Sequence, residues 1–397
     1  CFDLLYELYI FEGYSRGEAI ENIFKHNLTG IDLDKRAQQL SMFALLLKAC
    51  QKDRSYADAR CMPTVLTMPK AWDEERFGTI DAFLPHFFKG TETKKVVEEI
   101  SAAYKLMKDA DSLGSIMKFD LSDSTRKALI DVVTYWQKES FIPKDIQAQM
   151  PAMRLILALT EKYSALVMNP PYMGGANMNG ILSKYVRDNY EVGKADLFSV
   201  FMLLATDRLC AKGKYSMINM HSWMFLGSFE KLRISIVDKY QIDNLLHLGP
   251  RTFDELSGEV VQNAAFTITK SSPSYQGIYF RLVEGKNCKK KEELFLNAKN
   301  TQNIKYRKIN QTHFKHIPGY TIGYWVSEKV IKNFFEMPLL GSKYDVKSGL
   351  STGDNEIFVR RWHEINLNKM FLEHSDDESV RNGYKWFPYS KGGGIQK

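Results

Sequence analysis

One short step constrains this chain more than any other. Residues 164–168 are a compact apolar run, Ser-Ala-Leu-Val-Met, and Asn169-Pro170-Pro171-Tyr172 follows with no spacer. A run of that length, bounded by breakers, reads as a buried strand. The four residues then stand at its carboxyl end, where open α/β sheets bind their ligands. Two prolines fix φ and remove two N–H donors, so the loop presents rigid carbonyl acceptors. A glycine-rich loop follows at 173–180, then helical patterns over 181–189 and 197–211.

The rest of the chain repeats this alternation. Helical spacing over 1–12 stops at Gly13, and Ser15 with Glu18 forms a capping-box pattern that opens a helix to about residue 25. Residues 28–33 read as a short buried strand ending in Asp32. Asp34 can cap the next helix, whose Leu40, Phe43, Ala44 and Leu47 share one face. Residues 52–90 read as irregular, with Pro63, Pro69 and Pro85 as breakers. Helical patterns fill 93–108, 124–139 and 143–163, with a short stretch, 109–119, between the first two. Further strands are predicted at 215–219, 242–247, 260–269 and 277–283, the last two as a hairpin, and a helix at 229–239. Strands alternating with helices indicate an α/β, doubly wound sheet. The block at about 52–163 is predicted to be a helical insertion between two strands. From Gly285 the pattern weakens, so a core over 1–284 and a second region over 285–397 are expected. A length of 397 residues accommodates both.

An apolar share of 44% provides a sizeable core. The net charge of +7 permits a polyanionic partner without demanding one. Residues 286–291 carry four lysines, read either as a solvated turn or as a phosphate contact. The five cysteines, at 1, 50, 61, 210 and 288, show no ligand spacing. That fits a reducing compartment and no zinc site. His313 and His316 are joined by no acid or cysteine cluster, so no metal is expected. With no apolar run of membrane-spanning length and no signal peptide, a soluble, cytoplasmic protein without a membrane partner is predicted.

The chemistry gathers on few residues. The Asn169 side-chain oxygen and the Pro170 carbonyl can both accept from one amino group. That aims the nitrogen lone pair at an electrophile without a strong base. Tyr172 supplies an aromatic face, and stacking a base is worth about 1–3 kcal/mol. The set suits a planar, amino-bearing substrate swung out of a duplex. Asp32, an acid at a strand end, can hydrogen-bond a ribose diol. Asp34 is the alternative for that role, unless it is spent as a helix cap.

Asn169-Pro170-Pro171-Tyr172 resembles the catalytic motif of amino-group methyltransferases that use S-adenosylmethionine. Similar loops occur in enzymes that methylate protein glutamines and ribosomal RNA guanines. Gly30-Ile31-Asp32-Leu33-Asp34 resembles the second-strand motif of these enzymes, which implies that Asp32 and Leu33 border the cofactor ribose. Lys194-Ala195-Asp196-Leu197-Phe198 resembles the motif after the catalytic loop in adenine methyltransferases. It implies Lys194 and Asp196 on the side of the substrate base, with Asp196 either orienting the loop or capping its helix. Phe253, in Arg251-Thr252-Phe253-Asp254, resembles the second aromatic that packs on the flipped base; a core phenylalanine is the other reading. The resemblance also implies that residues 111–115, with Asp111 and Leu113, form the segment near the cofactor adenine.

Over most of its length the chain resembles the large adenine methyltransferases of BREX phage-exclusion systems, the PglX family. The likeness includes residues 1–12, the Asp32 segment, the helical insertion and 169–175. It extends to Gly349-Leu350-Ser351-Thr352-Gly353-Asp354-Asn355 and Lys385-Trp386-Phe387-Pro388-Tyr389, which resemble segments leading into a target-recognition domain. The resemblance implies a Rossmann-like, S-adenosylmethionine-dependent methyltransferase. Its reaction would be methyl transfer to the exocyclic amino nitrogen of a flipped adenine, in phage defence. It implies double-stranded DNA, other phage-defence proteins and phage DNA-mimic inhibitors as partners. The family's first strand and glycine-rich loop, which cradle the methionine part of the cofactor, have no counterpart here; Gly13 and Gly17 follow a helix. The chain is therefore expected to be an internal piece of a longer protein, and to bind the cofactor weakly alone. Two rival readings remain. One is a DNA-binding specificity subunit with secondary or lost catalysis. The other is a fused restriction enzyme, which an upstream Asp…Glu-x-Lys site would mark.

Overall fold

The computed structural model describes residues 1–58, 61–88, 93–253, 261–346, 352–372 and 383–389. The chain divides into two units, Cys1–Glu336 and Met337–Lys397. In the first unit β1 (Thr29–Asp32) and β2 (Thr64–Thr67) form a small parallel sheet. A six-stranded sheet runs in the order β3-β4-β6-β5-β7-β8. Its strands are β3 (Tyr163–Met168), β4 (Leu209–Met220), β5 (Gln241–Gly249), β6 (Asn263–Thr269), β7 (Gly277–Arg281) and β8 (Tyr306–Ile309). β3 and β4 pair in parallel, as do β5 and β7, while β6 is antiparallel to both of its neighbours. One edge of the sheet therefore collects Asn169, His221, Gly249 and Leu282 at strand ends, with Asn263 at the start of β6.

The α/β reading holds, with three changes. β2 falls inside the stretch read as irregular: Thr-Val-Leu-Thr suits a strand, but Pro63 and Pro69 confine it to four residues, too few for alternation to register. The expected hairpin of β6 and β7 is not formed, because β5 lies between them. The buried Gln241 side chain accepts from Ser274 N (2.9 Å) and Tyr275 N (3.2 Å), which guides the connection past the start of β5. Val260 of the expected strand lies outside the described residues. The sheet also continues past residue 284, since β8 pairs with β7.

Alternation along β4 buries Tyr215 and Met217 on the face covered by helices Leu197–Arg208 and Glu230–Lys239. The opposite face is covered by helix Cys288–Thr301 at the β5–β7 side, over Phe280 and Leu282. The helices Thr93–Met107, Asp123–Lys138 and Lys144–Thr160 build their own core around Ile100, Leu129 and Ile156. That core is continuous with Leu182, Val186 and Val200, so the helical block backs the loop after β3.

Two sequence expectations fail for physical reasons. Helix Lys35–Lys52 buries Leu45, Leu46 and Ala49 against Ile20 and Phe24, whereas Leu40, Phe43 and Leu47 are 67%, 58% and 47% exposed. The predicted apolar stripe thus faces outward. The lysine tract opens a helix, and it is divided: Lys286, Lys289 and Lys290 stay exposed while Lys291 is buried. Asn287 caps a helix there, and Lys291, only 4% exposed, donates from Nζ to Leu248 O (2.6 Å) and Leu282 O (3.3 Å). Among the described residues no helix is long and apolar enough to cross a membrane.

Candidate active site

The end of β3 is held from several directions. Asn169 is exposed and Pro170 is buried. Beyond them the loop is fixed by Asp196. Its Oδ1 accepts from Met173 N (3.0 Å) and from Phe198 N (3.2 Å), so the acid orients the loop and caps helix Leu197–Arg208 with one oxygen. The two roles open in the sequence are both filled. Burial pushes the Asp196 carboxyl above its ordinary range, against the N–H groups of Phe198, Met173 and Leu197. Gly175 N donates to Ala195 O (3.0 Å), and Leu197 N to Met173 O (2.9 Å). This close pairing requires glycine: a Cβ on Gly175 would stand 2.7 Å from Lys194 O. The Lys194 side chain points to Glu191 (2.6 Å) at the surface. The geometry therefore brings Asp196 to the loop through backbone, and gives Lys194 an ion pair.

Tyr172 is half-buried and packs edge-on against Phe198, with ring centroids 6.3 Å apart and planes at 87°. Its hydroxyl is not free. Asn263 Nδ2 donates to it at 3.1 Å, and it can donate to Ile218 O (3.2 Å) or Asn169 Oδ1 (3.3 Å). Burial raises its pKa above the ordinary value, while the Asn263 hydrogen bond lowers it and Asp196 adds to the rise. Sequence reading missed Asn263; no local pattern marks a side chain that reaches Tyr172 from another strand.

At the end of β1, Asp34 caps helix Lys35–Lys52, accepting from Arg36 N (2.7 Å) and pairing with the Arg36 side chain. The alternative for the ribose role is thereby taken up by the cap. Asp32 is partly buried and accepts from Asp34 N through Oδ1 (2.8 Å); Oδ2 has no partner among the described residues. It lines a cavity of about 420 Å³ with Phe2, Leu28, Gly30 and Ala44. That volume lies within the range of small-molecule sites. A free carboxylate oxygen at a strand end fits a vicinal diol.

The 111–115 segment comes to the same place. A Cβ on Gly114, at φ +54°, would lie 3.8 Å from the Leu33 side chain. Leu113 is buried and Asp111 exposed. The segment is anchored by residues the sequence did not suggest. Arg208, 9% exposed, donates to Ser115 O (2.7 Å) and Met117 O (3.1 Å), and Tyr190 donates to Ile116 O (2.8 Å).

Phe253 is 37% exposed, so it is not a core residue; Asp254 lies outside the described residues. At the ends of β4 and β5, His221 Nδ1 meets His247 Nε2 at 2.8 Å, and His247 Nδ1 meets the Tyr324 hydroxyl at 3.1 Å. Burial pushes the His247 imidazole down to about 3, with His221 adding to the effect. In the second unit, Asp354 caps the helix Asn355–Phe358 and Trp386 bridges to Met370. Gly349, Leu350 and Ser351 lie outside the described residues.

A parallel strand ending in a rigid acceptor loop, with an acid at the end of a strand in a separate small sheet, sets the class of the chain as α/β. A family model described as Eco57I restriction-modification methylase matches residues 26–253, and the chain belongs to that family. It is 34% identical over 409 residues to "Adenine-specific methyltransferase PglX" of Lacticaseibacillus casei (strain Zhang). It is 34% identical over 416 residues to "Adenine-specific methyltransferase BrxX" of Escherichia coli O9:H4 (strain HS). Each alignment takes in 100% of this chain and 33% of the relative, so the chain spans about a third of their length. Among solved structures, a DrdV–DNA complex is 14% identical with a TM-score of 0.45, covering 82% of this chain and 27% of that one. The ATP-dependent Type ISP restriction-modification enzyme LlaBIII bound to DNA is 13% identical with a TM-score of 0.43, covering 78% and 19%.

Proposed function

We propose that, in the complete protein, this chain carries the acceptor-binding half of a site-specific DNA adenine-N6 methyltransferase acting in phage defence. The observation that carries the reading is the Asn169–Tyr172 loop, held at the end of a parallel strand by Asp196 and Asn263. S-adenosylmethionine, when bound, supplies an electrophilic methyl group. Asp32, with its free Oδ2 and adjoining cavity, would hold the ribose, and Leu33 with residues 111–114 would border the adenine of that cofactor.

The chain's own residues do the rest. Asn169 Oδ1 and the Pro170 carbonyl accept the two N–H bonds of the target amine. Both acceptors polarise the N–H bonds and push density onto the nitrogen, so that its lone pair would be drawn out of conjugation with the ring and turned toward the methyl group; as the cofactor's sulfur–methyl bond gave way, the surplus amine proton would leave to solvent. No strong base is required for this alignment. Tyr172 offers its ring to an adenine that has left its stacking neighbours, and Phe253, exposed after β5, would supply a second surface. A net charge of +7 is compatible with a duplex partner. Phage-defence proteins and phage DNA mimics are proposed as further partners of the complete protein, as the resemblance to the phage-exclusion methyltransferases implies.

The test is Asn169→Ala in the full-length protein. Host-DNA methylation read by long-read sequencing should vanish, with DNA affinity nearly intact because phosphate contacts supply most of it. Undiminished adenine methylation would overturn the assignment.

A further inference from the structure

We propose that Asn263 is a positioning residue for the target-base site, acting on Asn169 through the hydroxyl of Tyr172. The inference rests on the methyltransferase reading above and deepens it. Asn263 opens β6, where it pairs with Met220 of β4 and Gly249 of β5, and it is fully buried. Its Nδ2 lies 3.1 Å from the Tyr172 hydroxyl and 3.4 Å from the backbone carbonyl of Asn219. A carbonyl can only accept, so the second contact fixes which end of the amide faces this way. The Asn263 amide is therefore the donor and the Tyr172 oxygen the acceptor.

That direction has a consequence. A phenolic oxygen carries one proton. With an incoming bond from Asn263, the proton is directed to Ile218 O (3.2 Å) or Asn169 Oδ1 (3.3 Å). The bond from Tyr172 is the one side-chain hydrogen bond that Asn169 has among the described residues. When the proton is given to Asn169 Oδ1 rather than to Ile218 O, an exposed side chain whose amide oxygen must meet a substrate amine is oriented by a buried one, through the tyrosine. The amide oxygen has two lone pairs, so the hydroxyl and the target amine can share it. The same bond pins the Tyr172 ring by its far edge, while Phe198 supports it edge-on. The Asn263 oxygen itself, and that of Asn219 beside it, have no partner among the described residues. Neither side chain is therefore placed to satisfy its own amide fully, and Asn263 Nδ2 spends its bonds on Tyr172 and the Asn219 carbonyl.

The experiment uses the full-length protein and a duplex carrying its target site. Single-turnover methyl transfer and DNA affinity are measured for wild type, Asn263→Ala, Tyr172→Phe and the double variant. Asn263→Asp, which keeps the volume and loses the donor, guards against a folding defect in the alanine variant. Loss of one buried hydrogen bond predicts a fall of about tenfold in rate for either Asn263 variant. DNA affinity should stay within about twofold, since phosphates dominate it. In the Tyr172→Phe background, Asn263→Ala should cost nothing further, because the hydroxyl it acts through is gone. Wild-type rates in both Asn263 variants would overturn the proposal, as would an equal loss with and without the hydroxyl. A second readout is independent of methyl transfer: 3-fluorotyrosine placed at 172, followed by fluorine resonance. Its signal should shift in Asn263→Ala. If wild type transfers no methyl to adenine and the signal still shifts, the functional reading fails and the anchor stands. A signal that does not move removes the anchor.

Discussion

At the carboxyl end of the six-stranded sheet, groups from distant parts of the chain lock one another. Met173 and Phe198 share Asp196, Gly175 leans on the 194–195 backbone, and β6 reaches Tyr172. At the carboxyl end of the two-stranded sheet, Asp32 makes one bond, to the backbone two residues on. The first end is built around bonds already made, the second around an oxygen left available. Under the proposed function, a target base extruded from a duplex brings its own cost of unstacking, and a preformed receptor keeps further ordering costs out of that step. A ribose diol needs an unspent acceptor, which a satisfied carboxylate could not provide.

Three substitutions probe that contrast. The largest effect should come from Gly175→Ala, because the new Cβ would press on Lys194 O at 2.7 Å and neither backbone can yield without breaking its pairing. A displacement of this size at a positioning loop predicts a loss of roughly 100-fold in methyl transfer. A near-normal rate would show that the loop is less locked than its hydrogen bonds suggest.

The next concerns acid. His247 is 6% exposed and its pKa is lowered from 6.5 to about 3, so the folded state holds it neutral where the unfolded chain would protonate it. Its neutral burial is without penalty above pH 6.5, and stability is lost progressively as pH falls from 6.5 toward 3. Each pH unit inside that window costs up to about 1.4 kcal/mol. The Tm should therefore fall between pH 7 and pH 5, and His247→Gln should flatten the slope. An equally steep profile in the variant would place the acid sensitivity elsewhere.

The smallest effect on stability is expected at the other sheet. Asp32→Ala removes one local hydrogen bond and should change stability by no more than about 0.5 kcal/mol. In the full-length enzyme it should raise KM for S-adenosylmethionine roughly tenfold at constant kcat, as expected for a charge-assisted bond. A fall in kcat with KM unchanged would move Asp32 out of cofactor binding.

What the sequence made legible was local. The strand before Asn169, the Ser15–Glu18 capping box and the Asp34 cap are each specified within a few residues, and each formed, although β3 is largely exposed rather than buried, with Val167 67% exposed. Asp196 was found through its motif, although its double role needed the geometry of the loop. Apart from β2, which is too short to show a pattern, the failures involve partners far apart in the chain. β6 and β7 are consecutive, so a hairpin is the default expectation, yet Gln241 steers the chain around β5. Leu40, Phe43 and Leu47 fit a helical period but lie on the side that packs against nothing described. Arg208 drew no reading from the sequence, and Lys291 was read only as one of a solvent-facing or phosphate-contacting lysine tract. Each is instead spent on backbone carbonyls: those of Ser115 and Met117 for Arg208, and those of Leu248 and Leu282 for Lys291.

The place of β6 between β4 and β5 also bears on how the protein is made. Those two strands do not touch; each is hydrogen-bonded to a segment that leaves the ribosome after both. A nascent chain extending to residue 262 has the acceptor loop complete, but its two sheet halves face each other across an empty slot. Both edges are then unpaired and open to pairing with other chains. The tyrosine waits for an amide 91 residues downstream. A truncation just before Asn263 would thus remove the seam that joins two halves, and one just after Thr269 would keep it. Shortened versions of this region meant for expression should therefore be cut on the far side of β6.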